Sequence, residues 1–392
     1  MTEARMPTIL WSFALALAFP GTDEPPAERL KAIQKAVADA EAEYRAAVKP
    51  LGDTPEDRRK HEALAETCYQ KSIKAAEAVL ALAREDPKSE AGFGALEWLL
   101  MNLWVYEIPV GPQAMRLMAE HHAANPKVGR AIAFLAYYAP GESRPAHRAA
   151  VELLKAVAEK NPDRTVRGQG AVGLAWLAKR AFDVAAYRGR PEQDRLAAEA
   201  ERQFEAVVRD YGDCPYLRDR GRKVPARLGE EVQPDLYKLR HLRAGKPAPE
   251  IEGENLDGKR FRLSDHRGKV VLLVFWASWC GACMSDVPHE RELAERFKGR
   301  PFVLIGVNGD KDRKAALKAV AEHRIPWRSF WNGEDGHLGP IATAWNVRGW
   351  PTTYVIDQDG VIRYKGLREE LLDRPLEEMV AAAEAAARAR SR

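Results

Sequence analysis

The sequence predicts two architectures in one chain: an all-helical N-terminal domain, then an α/β domain in which helices cover a mixed sheet. Three observations carry this. From about Glu24 to about Arg243 the chain is rich in Ala, Leu, Glu, Arg and Lys, with apolar residues at helical spacing, as in Ala75, Val79, Leu82 and Val151, Leu154, Val157. Four prolines, Pro225, Pro234, Pro247 and Pro249, then interrupt the pattern. Beyond them, short apolar runs rich in β-formers alternate with helical segments. The 392 residues suit two or three domains. The expected organisation is a signal peptide over 1–22, a helical domain over 23–220, a linker over 221–244 and the α/β domain over 245–392.

The chain opens MTEARMPTILWSFALALAFPGTDEPP. The apolar stretch from Ile9 to Phe19 is too short to span a bilayer but fits a signal-peptide core, with Ala14, Ala16 and Ala18 offering cleavage geometry. Glu3 offsets Arg5 in the leader. A working signal implies an extracytoplasmic, periplasmic protein; without it the protein is cytoplasmic. No later segment reads as transmembrane, and a net charge of +4 without a long basic run leaves no electrostatic footprint for nucleic acid.

Within the helical half, a helix ending in a proline turn and followed by a second helix recurs at Pro87, Pro126 and Pro162, with a weaker copy around Cys214-Pro215. Such spacing suits stacked helix pairs of the tetratricopeptide or HEAT kind, and an irregular bundle satisfies it as well. Trp98, Trp104, Tyr137, Tyr138 and Trp176 fall on helical patterns and read as core, and His121-His122 as a polar helix end.

In the α/β half, GENLDGKRFRLSDHRG predicts a hairpin turning at Asp257-Gly258. KVVLLVFWAS is a continuous apolar run, so a buried strand, and MSDVPHERELAERF is helical. FVLIGVN predicts a second buried strand and DRKAALKAVAEH a helix. TTYVID and VIRYKG make a hairpin across Gln358-Asp359-Gly360, and LLDRPLEEMVAAAEAAARA closes the chain as a helix.

Of the four cysteines, Cys68 and Cys214 stand alone, whereas Cys280 and Cys283 form a C-x-x-C where a strand hands over to a helix. There the first sulfur meets unpaired backbone N–H groups and the positive end of the helix dipole, which favour its thiolate. The second lies one turn on, within reach of a disulfide, and such a pair is what disulfide exchange requires. Zinc needs four ligands, and no second pair exists beside scattered His266, His289, His323 and His337. A c-type haem would need histidine where Met284 stands.

FWASWCGAC, followed by Pro288 and later by GWPTTYVID, resembles the thioredoxin superfamily. More narrowly, GKPAP with GENLDGKRFRLSDHRGKVVLLVFWASWC and the following Val287-Pro288 resembles redoxins of the TlpA and ResA type over roughly Gly245 to Leu367. The resemblance implies a three-layer α/β/α thioredoxin fold and thiol–disulfide exchange without a metal or other cofactor. The partners it implies are a disulfide-containing protein substrate and an upstream thiol donor. It makes Cys280 the attacking nucleophile and Cys283 the resolving thiol of a redox-active disulfide. Trp279 becomes the flanking tryptophan and Pro351 the cis-proline, which places the Trp350 backbone beside the sulfurs to pair with a substrate strand. Pro288 becomes a helix kink.

Departures from the family pattern refine this. Thioredoxin's buried aspartate, six positions before the first cysteine, is here Val274. TlpA and ResA relatives carry an acid two residues before the helix proline, which is Asp286 here and is expected to take the Cys283 proton. The alternative for Asp286 is a carboxylate that only favours the helix dipole. Ala282 replaces a frequent proline. A thiol peroxidase is disfavoured by Ala277 and Leu273, where peroxiredoxins need a hydroxyl residue and a proline. The remaining alternative is a helical-repeat scaffold protein whose redoxin module serves assembly.

Overall fold

A computed structural model describes residues 23–188, 190–218 and 226–390 of the chain. They form two compact units, divided between Glu231 and Val232. The signal peptide expected over 1–22 lies outside the described residues.

Among the described residues the first unit is built of helices: α1 (Pro26–Val48), α2 (Pro55–Glu85), α3 (Glu90–Leu100), α4 (Val110–His121), α5 (Gly129–Tyr138), α6 (His147–Lys160), α7 (Arg164–Tyr187) and α8 (Gln193–Tyr211). Short polar residues start several of these helices by satisfying free N–H groups. Thr54 accepts from Asp57 N, Ser89 from Gly92 N, and Asp163 from Thr165 N and Val166 N. From α1 to α4 and from α5 to α8 each helix packs on the next, and several pack on the next but one, α3 on α5, α4 on α6 and α5 on α7, so the pairs stack in two layers. The three proline turns are tied together by buried polar side chains. His122 Nε2 donates to Pro87 O at 2.6 Å, and Asn161 Nδ2 donates to Ala123 O at 2.8 Å and Asn125 O at 3.0 Å. Gln169 Nε2 continues the series to Pro215 O at 2.9 Å. His121 and His122 end α4 as expected, but the His122 ring is buried and spent on the preceding turn. Tyr137, expected in the core, is exposed, with the Arg218 guanidinium 3.9 Å over its ring. Cys68 and Cys214 are both free thiols.

A ninth helix, α9 (Leu228–His241), occupies most of the stretch expected to be linker. Pro234 lies inside this helix and does not end it, since burial of Leu236 and Leu239 beyond it outweighs the one hydrogen bond that proline cannot make.

The second unit follows as β1 (Glu252–Glu254), β2 (Arg260–Arg262), β3 (Val270–Trp276), α10 (Gly281–Arg296), β4 (Phe302–Asn308), α11 (Arg313–Glu322), β5 (Ser329–Trp331), α12 (Pro340–Ala344), β6 (Thr352–Ile356), β7 (Ile362–Lys365) and α13 (Asp373–Arg390). β1 and β2 form the expected hairpin, in which Gly258 supplies a positive φ of 82° and the Asn255 side chain accepts from Asp257 N and Lys259 N. The main sheet runs β5-β4-β3-β6-β7, with β4 parallel to β3, β5 parallel to β4, and β6 and β7 antiparallel to their neighbours.

All of β3 is buried because alternate residues enter different cores. Val270, Leu272, Val274 and Trp276 meet α10, α11 and α13 through Leu293, Ala316 and Leu376. Val271, Leu273 and Phe275 meet Phe261 of the hairpin, Ala342 of α12 and Trp345. This is a thioredoxin fold with a mixed sheet. Gly306 of β4 lies where Trp276 Nε1 donates to Ser329 Oγ at 3.0 Å, and a Cβ there would sit 2.2 Å from that oxygen. Gly306→Ala is expected to destabilise the unit by about 1–3 kcal/mol through overpacking. Chemical denaturation checks this, and an unchanged midpoint would count against it.

Candidate functional site

The end of β3 delivers Ala277 to Cys280 onto the first turn of α10, and Cys280 is the helix N-cap. Its Sγ accepts from Cys283 N at 3.1 Å, so the free N–H groups of the helix start face the sulfur rather than water. Cys280 and Cys283 are joined in a disulfide, with Cα atoms 5.2 Å apart. They are 6% and 3% exposed. Trp279, beside them, is 55% exposed, and its ring lies edge-on to Trp350 and to His337 at 5.9 Å in each case. The Trp350–Pro351 peptide bond is cis and leads directly into β6. Gly309 is required beneath Trp350, since a Cβ there would sit 2.5 Å from the indole ring.

The loop before Cys280 is held by a group that sequence reasoning missed. Asp310, buried just past β4, accepts from Ser278 N at 3.0 Å, Ser278 Oγ at 2.7 Å and Asn308 Nδ2 at 2.7 Å. These donors satisfy the carboxylate without a counter-ion and fix the approach to the first cysteine. Nothing local announces Asp310, because its partner Ser278 lies 32 residues earlier.

Asp286 is placed one turn beyond Cys283 and is 3% exposed. It does not stand as a simple carboxylate at a helix start. Arg368, in the segment after β7, clamps it with a two-pronged ion pair, Nε to Oδ2 at 2.7 Å and Nη2 to Oδ1 at 2.8 Å. The same Nη2 donates to Ala282 O at 3.1 Å, inside the C-x-x-C itself. One further turn on, Glu290 is 4% exposed, another residue that sequence reasoning missed. Helical spacing could have found it, because Cys283, Asp286, Val287, Glu290 and Leu293 form the buried stripe of α10. Pro288 lies within α10, which runs on through it. No group of three or more His, Cys, Asp or Glu side chains that could hold a metal occurs among the described residues.

Burial, reinforced by the Asp286 charge and opposed by Arg368, pushes the Glu290 carboxyl from 4.5 up to about 8. The folded chain therefore keeps a proton that the unfolded chain releases above pH 4.5. Stability falls as pH rises through that window, and below it the group is neutral in both states. Glu290→Gln is expected to gain on the wild type between pH 5 and 8, by on the order of a few kcal/mol. Urea denaturation at several pH values checks this, and a pH-independent difference would contradict it.

Comparison with known proteins places this geometry. The Redoxin family model matches residues 243–383. The thiol:disulfide interchange protein DsbE of Pseudomonas fluorescens biotype C is 39% identical over 131 residues, 33% of this chain and 70% of the relative. A thiol-disulfide oxidoreductase ResA of Bacillus cereus is 30% identical over 129 residues, 33% of this chain and 72% of the relative. Among solved structures, the thioredoxin domain of a thiol-disulfide oxidoreductase from Bacteroides vulgatus is 28% identical, covering 35% of this chain and 97% of that one, at a TM-score of 0.33. Through its C-terminal unit, the chain belongs to the redoxin family, with the thiol–disulfide oxidoreductases of the ResA and DsbE type.

Proposed function

We propose that the chain exchanges disulfides with protein substrates through Cys280 and Cys283. The observation that carries this is the Cys280–Cys283 disulfide at the N-terminus of α10, next to an exposed Trp279 and a cis Trp350–Pro351 bond. In the reduced protein the Cys280 thiolate, favoured by the helix start, attacks one sulfur of a substrate disulfide. The substrate S–S bond breaks, a mixed disulfide forms, and the departing thiolate takes up a proton. Cys283 then gives its proton to the carboxylate side, with Asp286 as the first acceptor, and attacks the Cys280 sulfur. The second substrate sulfur leaves, and the enzyme is left oxidised. A donor thiol must then return two electrons.

Trp279 and Trp350 offer the apolar surface beside Cys280, and the backbone before Pro351 is the proposed pairing edge for an extended substrate segment. The helical unit is proposed to recognise partners, a common use of stacked helix pairs. The apolar run Ile9–Phe19 supports an extracytoplasmic site of action, with the thiol donor on that same side.

Insulin reduction with dithiothreitol tests the reaction: the wild type should accelerate it and Cys280→Ser should not. Equal rates would remove the enzymatic reading and leave the scaffold reading. Cys283→Ser, expressed in the native host, should accumulate mixed disulfides through Cys280. Absence of any such adduct would count against protein substrates.

A further inference from the structure

We propose that Arg368 and Glu290 complete a proton-handling site behind the redox pair, with Arg368 positioning Asp286 at the resolving thiol and Glu290 storing the proton that exchange draws on. The inference rests on the exchange reading and deepens it. Three geometric facts carry it. Cys283, Asp286 and Glu290 share one buried face of α10 at successive turns. The Arg368 fork is spent on Asp286 and on the Ala282 carbonyl, which couples the acid directly to the backbone between the cysteines. One guanidinium, spent on Asp286, thus stands against two buried carboxyl groups, so a single proton balances the cluster.

The charged surroundings are few. On α10 itself the neighbour is Asp286. β4, packed against α10, brings no titratable side chain. The turn after β7 brings Arg368 together with Glu369 and Glu370, which are exposed. Asp373, at the start of α13, is turned to His289 at 3.2 Å and to Arg296 at 3.1 Å. With Glu290 pushed up to about 8, the proton is present at neutral pH.

The step it serves is the recharging of the oxidised pair. A donor thiolate attacks Cys280, the Cys280–Cys283 bond breaks, and a donor–Cys280 disulfide forms. Cys283 departs as a buried thiolate that needs a proton at once. Glu290 supplies it by way of Asp286 and becomes a carboxylate. A second donor thiolate releases Cys280, and solvent returns the proton to Glu290. Two electrons pass from the donor thiols to the enzyme.

The test is the rate at which dithiothreitol reduces the full-length disulfide from about pH 5.5 to about pH 9.5. Each rate is divided by the dithiothreitol thiolate fraction, and free Cys280 and Cys283 are counted by alkylation. The corrected wild-type rate should fall as pH rises through about 8. Glu290→Gln should be about 10- to 100-fold slower at neutral pH and lose the fall, while Glu290→Asp should keep one. Asp286→Asn, which cuts the relay, should be slowed about as much as Glu290→Gln with the remaining fall at lower pH, and Arg368→Met should move the fall to higher pH, because the two neighbours act on Glu290 with opposite sign. Opposed movement is not what a merely structural role produces, and it stands as the test even where Glu290→Gln fails to fold. A Glu290→Gln profile within twofold of wild type overturns the inference, as does a fall that stays in place in the other two variants. If the wild type reduces insulin normally in that case, the exchange reading survives. A wild type that exchanges with neither reagent removes both.

Discussion

The double-sided burial of β3 is the constraint on which the α/β unit depends. A strand apolar at every position has no solvent face, so it must lie between two covered layers and between two other strands. Its register then decides what meets at its end. Trp276 is level with Asn308 on parallel β4, and Phe275 with Thr352 on antiparallel β6. The end of β3, the end of β4 and the start of β6 therefore fall at one edge of the sheet. Cys280, Asp310 and Pro351 follow or precede those points by a few residues. The site is thus built by hydrogen-bond register before any of its own side chains interact.

The active-site helix shows a second physical choice. Its inward stripe could be apolar throughout, yet two of its positions are acids. Burying an isolated carboxylate is expensive, and a chain has two inexpensive ways out: pair the charge or protonate it. Here both occur within one turn. Asp286 is paired with Arg368, which leaves Glu290 facing a spent guanidinium and a neighbouring negative charge, and so it keeps its proton. The two are linked, because the Asp286 charge raises the Glu290 carboxyl and Arg368 lowers it.

Much of this was legible from the sequence where a segment carries its own signal. FVLIGVN is β4 residue for residue, and the hairpins at Asp257-Gly258 and Gln358–Gly360 are where turn chemistry puts them. β5 escaped because Ser329–Trp331 is too short to show a period and is a strand by virtue of pairing with Gly306 to Asn308. α9 escaped because Pro234, and the prolines on either side of the helix, outweighed its buried leucines in a local reading. At the site, the C-x-x-C and the Trp350-Pro351 step are contiguous words. Arg368 lies 82 residues from the acid it clamps, and only the packing of the turn after β7 against α10 brings them together.

The two units also differ in what they bury. In the helical unit the buried polar side chains include His122, Asn161 and Gln169, each hydrogen-bonded to the backbone of a neighbouring proline turn. Such bonds fix the spacing of one helix pair against the next without a net charge to satisfy. Among the described residues, the buried carboxyl groups are Asp286, Glu290, Asp310 and Asp357, all in the α/β unit. Asp310 receives three donors from the loops it joins, Asp357 receives Asp359 N, Val361 N and Arg363 Nε, and Asp286 receives Arg368. Those three each accept from two or more donor groups. Glu290 is the exception, held neutral by its surroundings, and it lies on the same helix face as the sulfur that must gain and lose a proton. The buried carboxyl pushed toward its neutral form therefore lies where the chemistry changes the charge.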